Sequence, residues 1–108
     1  MAGTVIDTTD ATFDSTVVKV AGPVLAVFRA EWSDVCRALD PVLVEVAKEY
    51  SGRLVVVRHD IDQHPQTPPK HGVEAIPNLC VFKAGKIVGR WIGPANKTRV
   101  VNLIQPHL

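Results

Sequence analysis

Aromatic side chains are scarce: two Trp, one Tyr and three Phe in 108 residues. So few rings give no stacking platform for exposed bases. An excess of one charge is also missing. Twelve Lys and Arg stand against eleven Asp and Glu, a formal net charge of +1. That balance offers no electrostatic footprint for nucleic acid or for an anionic membrane. No apolar run approaches the roughly 20 residues of a membrane-spanning helix. The stretch Met1–Asp7 has no basic region leading into an apolar segment, so no secretory signal is expected. The two cysteines, Cys36 and Cys80, cannot build a framework of bridges. The expectation is a soluble, cytoplasmic, monomeric protein with reduced thiols. Repeats, low-complexity tracts and linkers are absent as well. What is there, 46% hydrophobic and 21% charged residues, suits one globular domain over residues 1–108.

Other chemistries are excluded residue by residue. There is no glycine-rich phosphate loop. His59, His64 and His71 do not have the spacing of a zinc site and have no cysteine among them. They read as solvated surface histidines. No metal or cofactor is expected, and Ser33 has no histidine partner that would suggest a hydrolase.

Hydrophobic patterning gives the element order. Thr4–Ile6 is a short β-branched run that reads as an edge strand. Thr9-Asp10 offers N-cap chemistry for a helix over Ala11–Val20, with Phe13, Val17, Val18 and Val20 as buried positions. Ala21-Gly22-Pro23 should end it, with Gly22 as a left-handed cap. Val24–Phe28 and Leu54–Val57 are unbroken apolar runs, the pattern of strands buried on both faces. Between them, Val35, Leu39, Val42, Leu43, Val46, Ala47 and Tyr50 recur at helical steps and predict one helix over Asp34–Tyr50. Pro41 inside it removes a hydrogen bond and predicts a kink. Asp62–Val73 allows only a short irregular helix. Leu79–Phe82 and Lys86–Ile92 read as a hairpin turning at Lys83-Ala84-Gly85, followed by a helix carrying Val100, Val101 and Ile104. The expected class is α/β: a central mixed sheet with helices on both faces.

This order resembles the thioredoxin fold, and local sequence sharpens the likeness. Ala30-Glu31-Trp32-Ser33-Asp34-Val35-Cys36 resembles the family's active-site stretch Ala-Glu-Trp-Cys-Gly-Pro-Cys. Asp60-Ile61-Asp62-Gln63-His64-Pro65 resembles Asn-Ile-Asp-Gln-Asn-Pro. Ala75-Ile76-Pro77-Asn78 resembles the Gly-Ile-Pro-Thr loop, and Phe82-Lys83-Ala84-Gly85-Lys86 resembles the hairpin Phe-Lys-Asn-Gly-Glu. The resemblance implies thiol–disulfide exchange and cell redox homeostasis. It also implies a cis bond before Pro77 and a groove for extended polypeptide beside it. Trp32, Ile76, Pro77, Asn78 and Gly93 would line that groove and receive a protein or peptide partner. The alternative for Pro77 is that it only shapes a turn.

The same alignment shows what has changed. In the family a first thiolate attacks a disulfide and a second thiol, one helical turn on, resolves the mixed disulfide. Here the degenerate catalytic pair is Ser33 and Cys36. A serine hydroxyl is not ionised at neutral pH and forms no disulfide, so the dithiol cycle is expected not to close. The family's buried aspartate aligns with Val27, its nearby lysine with Arg58 and its preceding tryptophan with Arg29. Asp34-Val35 replaces Gly-Pro and puts a negative charge beside Cys36. Ser33 is also a preferred N-cap residue, which explains it without chemistry. Cys36 reads either as a half-buried apolar residue of the first helical turn or as a lone thiol open to mixed disulfides and oxidation. Cys80 reads as a core residue, with a Cys36–Cys80 pair left open. Two functions follow: a redox protein reduced to monothiol exchange at Cys36, or a non-redox binding module that keeps the groove.

Overall fold

Val24–Arg29 (β2) is buried at every position, and the whole fold is built around it. The structure is a computed structural model that describes residues 3–108. Met1 and Ala2, part of the stretch read for a signal, lie outside the described residues. β2 lies between Val55–Asp60 (β3), which runs parallel to it, and Asn78–Lys83 (β4), which runs antiparallel. Val5–Thr8 (β1) adds parallel to β3, and Lys86–Ile92 (β5) adds antiparallel to β4. The result is one mixed sheet in the order β1-β3-β2-β4-β5.

Strand alternation sorts the core into two layers. Leu25, Val27, Val56, Leu79 and Val81 face one side, against Asp34–Glu49 (α1) and Lys97–Ile104 (α3). Val24, Ala26, Phe28, Val57, Cys80 and Phe82 face the other, against Phe13 and Val17. This second layer is also covered by the segment around Thr67–Lys70 (α2), through Ile61 and Val73. Among the described residues no helix is long and apolar enough to cross a membrane.

Three expectations need correction. The helix over Ala11–Val20 shrinks to one π-helical turn, Asp14–Val18. Hydroxyls compete for its backbone: Thr9 and Thr12 exchange side chain–backbone bonds of 2.8 and 3.1 Å, and Ser15 Oγ donates to the Thr12 carbonyl. Phe13 and Val17 are still buried, whereas Val18 and Val20 are only partly so. Gly22 is not left-handed, so no glycine cap closes this turn. Val35, assigned to the apolar face of α1, is 41% exposed. It lies in the first turn of α1.

Other positions follow the sequence closely. Pro41 lies inside α1, whose buried face is Leu39, Leu43, Val46 and Ala47. The β4–β5 hairpin turns on Ala84 (φ 52°) and Gly85 (φ 79°), both left-handed as a two-residue primed turn requires.

Candidate functional site

The site lies where β2 ends and α1 begins. Ser33 has extended backbone, φ −89° and ψ 119°, and its Oγ accepts the Cys36 N–H at 3.3 Å. One of the free donors at the helix start is thereby satisfied, which is the role of an N-cap. Asp34 follows in the first turn, where negative charge is favoured. Arg37 donates to the Asp34 carboxylate and, at 2.6 Å, to the Glu31 carbonyl. The loop is thus held by a hydroxyl and a guanidinium. Ser33→Ala is expected to cost about 1 kcal/mol of stability in a urea titration. An unchanged midpoint would remove the N-cap role.

Cys36 is 1% exposed and unpaired, and Cys80 is also free and buried. Cys80 Sγ donates to Asn78 Oδ1 at 3.3 Å. Burial pushes its thiol up to about 11, with Arg90 opposing only in part. Beneath the helix, Val27 is buried among Leu39, Leu79 and their neighbours. Apolar packing fills the place where a proton acceptor would stand.

Charged groups lie beside this apolar packing. Arg29 is 5% exposed, so it lies under the site rather than on the surface beside it. Its two amino groups meet Glu31 Oε2 at 2.9 Å and Asp40 Oδ2 at 3.1 Å. Arg58, on the same face of the sheet, reaches Asp40 at 3.4 Å and Asp7 at 2.9 Å. Its hydrogen bond to Asp7 outweighs burial and holds the guanidinium in its charged form. This network couples β1, β2, β3 and α1. Asp40 was not singled out in the sequence. Its signal is weak, one acid on the polar side of a helix pattern.

The groove residues fall into two groups. Trp32 is 69% exposed, and its indole N–H donates to Asp62 Oδ2 at 2.7 Å. Its ring borders a cavity of about 390 Å³ whose walls include Ile61, Pro68, Val73 and Ile76. The Ile76–Pro77 peptide is cis, and the Gly93 N–H donates to the Pro77 carbonyl at 2.9 Å. Gly93 has φ 109°, which a side chain would strain. No hydrogen bond among the described residues uses the N–H or carbonyl of Ile76. Asn78 departs from expectation: it is fully buried, its Oδ1 taken by Arg90 at 3.0 Å and by Cys80. Its side chain lies in the Cys80 layer beneath the groove, fully buried and not among the cavity walls, so it offers nothing to a bound chain.

The histidines also need correction. His59 has no exposed surface, and His64 and His71 are half-buried. Alternation in β3 places His59 on the Val57 face, where its ring meets Phe13 edge-on at 5.4 Å. Among the described residues no group of three His, Cys, Asp or Glu side chains is placed to hold a metal.

Comparison with known proteins extends the likeness over the whole chain. The family model described as Thioredoxin matches residues 4–106. The thioredoxin of Pseudomonas aeruginosa is 38% identical over 108 residues, covering all of both chains. That of Acidithiobacillus ferridurans is 36% identical over the same span. Thioredoxin 1 of Synechococcus elongatus is 38% identical over 100 residues, 93% of this chain and 94% of its own. Sequence likeness of this extent, on a mixed five-stranded α/β sheet with a helix starting at the aligned site, has one meaning: the chain belongs to the thioredoxin family.

Proposed function

We propose that this is a thioredoxin-family protein without a working dithiol site, whose retained groove binds extended polypeptide in the cytoplasm as a monomer. The observation that carries the reading is Ser33. Its oxygen is engaged as the cap of the Cys36 N–H, and the one sulfur left in the motif is 1% exposed. Disulfide reduction needs a first sulfur to attack and a second to resolve. A hydroxyl can do neither. The groove supports the binding half of the reading: an apolar cavity beside an exposed Trp32, with the unused backbone polar groups of Ile76 at its edge. An extended chain recruits such groups by strand-like pairing.

The test is reduction of insulin disulfides with dithiothreitol as electron donor. The chain is expected to add nothing to the rate of dithiothreitol alone. Ser33→Cys rebuilds the spacing but leaves Val27 without a carboxylate and Asp34 beside the thiols. Its activity is expected to stay at least about tenfold below that of a thioredoxin with both cysteines. Turnover by the parent chain would restore the redox reading through Cys36. Full activity of Ser33→Cys would show that Val27 and Asp34 do not matter.

A further inference from the structure

The groove has apolar walls and an acidic rim. Glu74 borders the cavity, and Asp62 holds the edge of the Trp32 indole. Both carboxylates are exposed, and neither pairs with a cation among the described residues. Glu31, Asp34 and Asp60 stand at the same end of the sheet, where Arg29 and Asp60 are opposite each other across β2 and β3. Among the described residues there, Arg37 is engaged by Asp34 and the Glu31 carbonyl, buried Arg29 meets Glu31, and Lys70 lies exposed at the end of α2. The chain as a whole carries a formal charge of +1, so this acidity is local. Exposed Lys19, Arg53, Lys83 and Lys86 flank the opposite end, where Val24 meets Val55 and Phe82.

We infer that the groove selects an extended polypeptide segment in which an apolar side chain is flanked by lysine or arginine. The inference rests on the polypeptide-binding reading above and adds the class of partner. The apolar side chain covers Trp32, Ile61, Val73 and Ile76. A neighbouring basic side chain reaches Glu74 and Asp62, with the exposed indole face of Trp32 as a further cation-attracting surface. An acidic segment meets like charge instead, and such juxtaposition is how interfaces reject wrong partners.

Fluorescence anisotropy with three labelled peptides tests this, each with the same Leu-Val core and flanked by Lys, by Gln or by Glu. The Lys peptide is expected to bind about tenfold more tightly than the Glu peptide at low salt, with the gap narrowing as salt rises. Glu74→Lys is expected to abolish the preference. Glu74 makes no side-chain hydrogen bond or ion pair among the described residues, so the variant should fold as the parent does, which circular dichroism checks. Equal affinity for all three peptides overturns the charge selection and leaves polypeptide binding standing. A Lys preference that survives Glu74→Lys overturns the assignment to this rim. Binding of none of the three overturns the groove reading itself.

Discussion

Phe13→Ala is expected to lower the unfolding free energy by about 3–5 kcal/mol, the range for deleting a buried aromatic ring. Phe13 is 1% exposed, although it belongs to a short irregular segment with one π turn. Its ring centroid lies 5.6 Å from Phe28, 5.4 Å from His59, 5.2 Å from His71 and 5.8 Å from Phe82. One side chain therefore joins β2, β3, β4 and the end of α2. Domains of this kind have about 5–15 kcal/mol in total, so the loss is a large fraction of it. Phe13→Leu keeps most of the apolar bulk and is expected to cost about 1–2 kcal/mol. Urea titrations of both variants give the measurement. A loss below about 1 kcal/mol for Phe13→Ala would mean that the segment contributes little to this layer.

The second large effect is loss of stability on mild acidification, and it comes from His59. Its Nε2 lies 2.9 Å from the His64 carbonyl, which only accepts, so Nε2 carries the proton. Nδ1, 2.9 Å from Thr8 Oγ1, then accepts from that hydroxyl in the neutral ring. Burial pulls the imidazole below its usual value, and the His64 carbonyl and Asp10 offset only part of this. Asp10 lies 3.5 Å from Nε2. Burial pushes its carboxyl up, but the Thr67 hydroxyl and the Gln66 and Thr67 N–H groups outweigh burial and hold it below the ordinary value. His71 is also lowered by burial, with Asp14 opposing.

The direction of the effect follows from proton counting. An unfolded histidine protonates near pH 6.5, whereas these two in the native protein protonate only at lower pH. Between those limits the unfolded chain binds more protons. Stability is therefore full above pH 6.5 and falls as the pH is lowered, levelling once the native rings protonate. Each ring contributes at most about 1.4 kcal/mol per pH unit. His59→Leu, similar in size and not titratable, is expected to reduce the slope below pH 6.5. An unchanged slope would place the pH dependence elsewhere.

Much of this architecture is legible in the residues. Val24–Phe28 and Leu54–Val57 are apolar without alternation, the pattern of strands covered on both faces, and β2 and β3 form there, with β3 starting one residue later at Val55. The face of α1 and the primed turn at Ala84-Gly85 are equally direct. The first helix is shorter than its hydrophobic spacing predicts, because Thr9, Thr12 and Ser15 bond the local backbone. β3 is longer than its apolar run. Arg58, His59 and Asp60 look like the end of a strand, yet β3 continues through them because each finds a partner: Asp7 and Asp40 for Arg58, Thr8 and the His64 carbonyl for His59, and the Asp62 and Gln63 N–H groups for Asp60. At the site, Ser33, Cys36 and the departures at Val27 and Arg29 were visible as residue types. Their consequences needed geometry: that Ser33 caps the Cys36 N–H, that Arg29 turns under the site to Asp40, and that Asn78 is sealed beneath the surface by Arg90 and Cys80.

The central claim is that the remnant of the active-site motif holds no accessible sulfur. Iodoacetamide labelling at pH 7 tests it, read by mass spectrometry at Cys36 and Cys80 separately, in the native chain and in the chain unfolded by urea. Cys36 is 1% exposed and Cys80 0%, so each must wait for an opening of the structure before it reacts. Native labelling of both is predicted to be at least about 100-fold slower than in the unfolded chain. Labelling of native Cys36 as fast as in urea, with Cys80 still protected, would contradict the claim and make monothiol exchange at Cys36 the working chemistry of the site.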